Sequence, residues 1–214
     1  VHAGNVIRIQ STLRVRGGVL NAYYSLFTSA ASPQAKGDWD EIEVGYSSTS
    51  GEANFWGCTV EYGGHSTISE DFAMIMVNRG TAGFYDNSLI HQSNNAGIIV
   101  AANGSVNLTN TTVTDNTRPV VYTGPGSVIF KGINNLTGNN TDRMYINFSE
   151  HTNTFVLDTT AIPYEFAGGF TIGNGGTLQV DSGNVLWMKT YLRIRGGTLN
   201  AYGSRFTSAQ SPKG

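Results

Sequence analysis

Apolar and polar residues alternate in short bursts along this chain. Ile7 and Ile9 flank Arg8, Leu13 and Val15 flank Arg14, and Ile42 and Val44 flank Glu43. On a strand, a period of two sends one set inward and the other outward. The segment FTIGNGGTLQV, Phe170–Val180, reads alike. Proline is scarce, and the longest irregular pieces are Ala31–Gly37 and Ser47–Glu52. The pattern predicts many short strands joined by tight turns.

A longer rhythm overlies this alternation. ANFWGCTVEYGG from Ala53, AGFYDNSLIHQS from Ala82, VNLTNTTVTDNT from Val106 and VIFKGINNLTGNN from Val128 align on Phe55, Phe84, Leu108 and Phe130. The alignment puts Gly57, Asp86, Asn110 and Gly132 in one turn column, and these types tolerate a left-handed backbone. Three residues on, Val60, Leu89 and Val113 form an apolar column, with Leu136 one place late. The anchors are 29, 24 and 22 residues apart. That is too long for a hairpin and lacks the helical pattern of a βαβ crossover. It suits one rung of a coil whose rungs stack about 4.8 Å apart by parallel pairing.

The ends of the chain repeat each other. Val1–Ala35 lies on Val180–Gly214 without a gap, with 20 of 35 positions identical and an offset of 179 residues. Internal repeats signal arrays. Residues 1–179 therefore read as one unit and 180–214 as the start of the next, with Asp-Trp expected after Gly214. A unit of about eight rungs would advance the axis by roughly 40 Å.

Composition narrows the class. Charged residues are 13% of the chain, against about 25% in ordinary soluble domains. A net charge of −2 gives no basic field for nucleic acid or an anionic membrane, and no apolar run is long enough to span a bilayer. Cys58 is the only cysteine, which excludes an intrachain disulfide. Asn103, Asn107, Asn110, Asn135, Asn139 and Asn147 each open an N-x-Ser/Thr sequon, making them candidate N-glycosylation sites on an extracellular surface.

GDWDEIEV followed by FWGCTVEYGG, and GGTLQVDSGNVLWM followed by LRIRGGTLNAYGSRFTS, resemble the right-handed parallel β-helix repeat proteins of the pectin-lyase-like superfamily. The likeness covers most of the chain. It implies an all-β, right-handed parallel β-helix with rungs of about 22–29 residues, residues 1–214 forming a single β-solenoid. It implies no one activity, because that architecture carries lyases, hydrolases, adhesins and structural rods. The hydrolases use closely spaced aspartates with a histidine and a basic residue nearby. This chain has no Asp-Asp pair and no such cluster around Asp86, Asp115 or Asp142. The lyases gather basic residues and acidic Ca²⁺ ligands, whereas arginines here are scattered apart from RVRGG and RIRGG.

Asp38, Asp40, Glu41 and Glu43 form the best enzymatic lead, since carboxylates two apart on a strand share a face and can divide acid and base roles. The competing expectation is an ion ladder. Were Leu13/Val15 beneath Ile42/Val44, Arg14 and Arg16 would face Glu41 and Glu43 on the outside. His65 and His91 fall at different places in their rungs and are read as turn residues, not metal ligands. Cys58 reads as a packed side chain, and Trp39, Trp56 and Trp187 as packing residues with a sugar-stacking strip as the alternative. No residue set calls for a cofactor. The expectation is a structural unit of a long tandem-repeat extracellular filament, stalk or cell-surface protein. Its partners would be copies of itself and surface glycans, without nucleic acid and without a membrane span in this segment. The alternative is a carbohydrate-active β-helix enzyme or a polysaccharide-binding module.

Overall fold

Leucine, isoleucine, valine and phenylalanine at every second position stay dry only if successive turns of chain share one interior. The computed structural model describes residues 1–65, 72–158 and 160–209, so the last five residues of the second copy, 210–214, lie outside it. Among the described residues the chain forms 23 strands and no helix, and the strands pair in parallel. They stack as a β-solenoid of about eight turns.

One column runs through the whole stack. It joins Leu13–Val15, Ile42–Val44, the first part of Ala73–Tyr85, the first part of Ala96–Thr109, Arg118–Tyr122, Met144–Ile146, Tyr164–Phe166, Val185–Met188 and Arg205–Ser208. A second face stacks Val6–Ile9, Leu26–Ser29, Thr59–Glu61, Leu89–His91 and Thr112–Thr114. The third stacks Val19–Tyr23, Gly51–Trp56, the latter parts of the two long strands, and Ser127–Lys131. Farther up, Glu150–His151, Phe170–Ile172 and Leu192–Ile194 form one column, and Thr154–Leu157, Thr177–Val180 and Thr198–Ala201 another.

The register places Phe55 on Phe84, Phe84 on Leu108 and Leu108 on Phe130. Phe55 and Phe84 are fully buried and stack at 4.8 Å, their rings 2° from parallel. At the following corner Gly57, Asp86, Asn110 and Gly132 have φ of 60°, 56°, 53° and 65°. The apolar column beyond it needs one correction. Val60 pairs with Ile90, which pairs with Val113, while Leu89 pairs with Thr59 and is half-buried. Asp86 and Asn87 both take positive φ, and this extra turn residue advances the strand by one.

Other expectations are also adjusted. Gly51 already belongs to a strand, so the irregular piece after Ser47 is shorter than it read. Turns measured along the long column span 20 to 33 residues, wider than the expected range. The longest runs from Ile42 to Ile75, and the shortest lie above Met144.

The two copies of the repeated passage keep the same internal hydrogen bonds. Asn5 Nδ2 donates to His2 O at 2.8 Å, and Asn184 Nδ2 to Asp181 O at 3.1 Å. Ser25 Oγ donates to His2 O and Ser204 Oγ to Asp181 O, each at 3.0 Å. Yet the copies stand on different faces. Val6–Ile9 lies on the second face, whereas its counterpart Val185–Met188 lies in the long column. Seven steps up that column separate Leu13–Val15 from Val185–Met188, and Val6–Ile9 lies one face before Leu13–Val15. The 179-residue offset is thus seven turns and one face, not eight turns, or about 35 Å of axis at 4.8 Å per turn.

Candidate functional surface

The outer side of the long column holds the densest chemistry. In each of its strands the flanking residues point inward, so the middle one points out. Read upward in register, these are Arg14, Glu43, Met76, Ile99, Val121, Tyr145, Glu165, Trp187 and Thr207. Charge sits at Arg14 and Glu43 below and at Glu165 above, with a buried apolar cluster of Ile99, Val121 and Tyr145 between.

At the lower end, Arg14 Nε lies 3.2 Å and Arg16 Nη2 2.6 Å from the same oxygen, Glu43 Oε2. The Glu43 side chain is only 4% exposed, while the arginines remain 57% and 36% exposed. Arg16 also covers the Tyr46 ring at 4.3 Å. Glu41 stands outside this ladder. Among the described residues its Oε2 is buried without a hydrogen-bond partner. Burial first, and then the neighbouring Glu43 and Asp40 carboxylates, push the Glu41 carboxyl up to about 7. Asp40 accepts from Ser11 Oγ at 2.8 Å and Thr12 Oγ1 at 3.2 Å, and Asp38 accepts from the Ala35 amide at 2.8 Å. Two of the four carboxylates are thus bound to neighbouring turns, one caps its own loop, and one is protonatable near neutrality.

At the upper end, Glu165 receives Arg143 and, at 2.9 Å, Lys189. Burial alone would raise this carboxyl, but the hydrogen bonds from Arg143 and Lys189 outweigh it and hold Glu165 below the usual carboxylate range. Arg143 lies 4.0 Å over the Trp187 ring, and Arg118 4.0 Å over Tyr145. Sequence reasoning missed this cluster because each of its turns supplies only one or two charges. The available signal was a lone acid at Glu165 with a base one turn's length away on either side, in a chain with few charges.

The aromatic residues separate into core and surface. Trp39 is 1% exposed and donates from Nε1 to Glu61 O at 2.9 Å. Tyr23, Trp56 and Tyr85 form an outer stack, with centroids 4.7 Å and 5.4 Å apart. The middle ring, Trp56, has both π-faces occupied by its neighbours and offers a sugar only its edge.

The remaining candidates sit as follows. His91 Nε2 is 3.1 Å from Glu61 Oε2, and His65 Nδ1 is 2.6 Å from Gly37 O. Cys58 is buried, and that burial raises its thiol. Among the described residues no three His, Cys, Asp or Glu side chains converge as metal ligands. Asn103, Asn110 and Asn135 are exposed, whereas Asn107, Asn139 and Asn147 are half-buried. Asn139 donates from Nδ2 to Val113 O at 3.1 Å and Leu136 O at 2.9 Å, and its Oδ1 accepts from the Asn116 amide at 3.1 Å. Its amide therefore belongs to an internal ladder, while Asn135 Oδ1 accepts from the nearby Thr137.

Shallow grooves run along Asn147–Ser149 with Ala167–Gly169, and along Gly17–Val19 with Ser50–Glu52. Neither is lined by Glu41 or Glu165. No helix long and apolar enough to cross a membrane occurs among the described residues. No family model matches the chain, and no curated protein or solved structure shows significant similarity to it.

Proposed function

We propose that the chain is a structural β-solenoid segment of a long tandem-repeat extracellular filament, stalk or cell-surface protein. Its partners are further units of the same kind and surface glycans. One observation carries this reading: Val1–Ala35 recurs as Val180–Gly214, and both copies make the same local hydrogen bonds within one uninterrupted stack. A lone catalytic domain has no need of that recurrence. The paired state of Glu43 and Glu165 supports it further, because carboxylates held by arginine and lysine brace neighbouring turns.

Electron microscopy of the native material tests the proposal. Rods with an axial rise of about 35 Å per unit are expected, and monodisperse short particles would refute it. A second reading rests on Glu41, whose carboxyl near 7 beside the arginine-paired Glu43 has the pattern of an acid and a base in a glycan-cleaving enzyme. The double variant Glu41→Gln with Glu43→Gln decides between them, because only the enzyme would lose turnover of a polysaccharide.

A further inference from the structure

Equivalent residues in the two copies differ sharply in exposure. Phe27 is 0% exposed and its counterpart Phe206 39%; Val15 is 8% and Ile194 49%. Tyr23 is 42% exposed under the stacked Trp56 ring, whereas Tyr202 is 77% exposed. In the first copy, the turn through Ile42–Val44, Gly51–Trp56 and Thr59–Glu61 lies on these strands. The second copy shows the same apolar surface without that turn.

The lower edge has the complementary history. Asn184 is 1% exposed and donates to Leu157 O at 3.0 Å and Asp158 O at 3.2 Å on the turn beneath, while its counterpart Asn5 is exposed. A Cβ on Gly197 would lie 2.6 Å from Gly173 O, whereas one on the counterpart Gly18 meets nothing within 4 Å. Asn5 and Gly18 are thus the residue types that a turn beneath them requires.

We propose that the repeat forms one continuous stack in which each unit joins the next rotated by one face, the lower edge resting on a counterpart of the Leu157–Gly173 turn. The proposal rests on the tandem-array reading. The upper edge, Leu192–Ile194, Thr198–Ala201 and Arg205–Ser208, seats the next turn of the unit that opens at Val180, the counterpart of Trp39–Glu61, with the counterpart of Trp56 stacked on Tyr202. The seven-turns-and-one-face offset turns each unit by about a third of a revolution. Corresponding surfaces wind around the rod and return to the same side after three units, twenty-two turns or about 105 Å.

A chain of six 179-residue units tests this. Ile133 is 88% exposed and Cys58 is buried, so Ile133→Cys in chosen units directs a maleimide–gold particle to those units. Particles on the first and fourth units should lie on the same side about 105 Å apart, and particles on the first and second on different sides. A straight rod with first- and second-unit particles always on one side would overturn the rotation and leave the array standing. Separate beads, not a rod, would overturn both.

A second measurement needs only the present chain. Thr171 stands opposite Arg193, so Thr171→Cys with Arg193→Cys should form a disulfide across adjacent turns. If the copies were in phase, Arg193 would stack in the long column like its counterpart Arg14. Cross-linking of Glu165→Cys with Arg193→Cys, and not of the first pair, would refute the shift.

Discussion

Gly80 lies in register on Gly51, and a Cβ added at Gly80 would stand 2.0 Å from the Gly51 carbonyl oxygen. Gly104 continues the same corner, where its added Cβ would meet Val77 O at 2.2 Å. Here the chain leaves the long column for the third face, and the turns approach closely enough to exclude any side chain. Gly80 also has φ of 135°, which L-residues rarely adopt. Gly80→Ala should therefore cost about 2–5 kcal/mol, read as a lower urea midpoint. Gly18→Ala, which meets open space, should stay within about 0.5 kcal/mol in the isolated chain.

Glu43 holds two arginines from the turn below while almost fully buried. Glu43→Gln should destabilise by about 1–3 kcal/mol, because charge-assisted hydrogen bonds are lost but the arginines can turn to water. Arg14→Ala should cost less than about 1 kcal/mol, since its side chain is largely solvated. Equal losses in chemical denaturation would contradict this division.

Glu41 gives stability a slope with pH. Its folded carboxyl sits near 7, above the ordinary 4.5, so the folded state holds the proton more tightly than the unfolded one. Its contribution is full below about pH 4.5 and falls as pH rises toward 7. Melting curves from pH 4 to 8 should show the parent losing stability relative to Glu41→Gln across that window. Parallel curves would remove the assignment.

His151 tilts the opposite way. It is 2% exposed, neither ring nitrogen has a hydrogen-bond partner among the described residues, and burial lowers its pKa below 6.5. The unfolded state takes up the proton first, so stability is complete above about pH 6.5 and declines as pH falls below it. His151→Phe should flatten this acid decline and leave stability at pH 8 equal or higher, since it buries no unpaired nitrogen. Urea midpoints at pH 5 and pH 8 separate the outcomes.

Much of this architecture was legible where every turn repeats one residue pattern. Phe55, Phe84, Leu108 and Phe130 disclosed their register because each precedes a turn residue at the same distance. Leu89 misled because Asp86 and Asn87 spend two residues on a turn that Gly57 makes with one. Above Lys131 the motif fades and the turns shorten, which hid both the one-face offset and the meeting of Arg143, Glu165 and Lys189. Those three groups come from separate turns, and only the true turn length aligns them. Glu41 and Glu43 share a strand edge and a charge, so nothing in the text separates the paired carboxylate from the lone one.

The hydrogen bonds between turns point along the axis of the stack, and this sets how the molecule answers a pull on its ends. Tension applied there peels strands from the last turn a few bonds at a time instead of shearing a whole sheet at once. Each released turn of 20 residues, as from Met144 to Tyr164, adds roughly 70 Å of slack. The longer turn from Ile42 to Ile75 adds more. A stack of turns loaded this way lengthens in discrete steps.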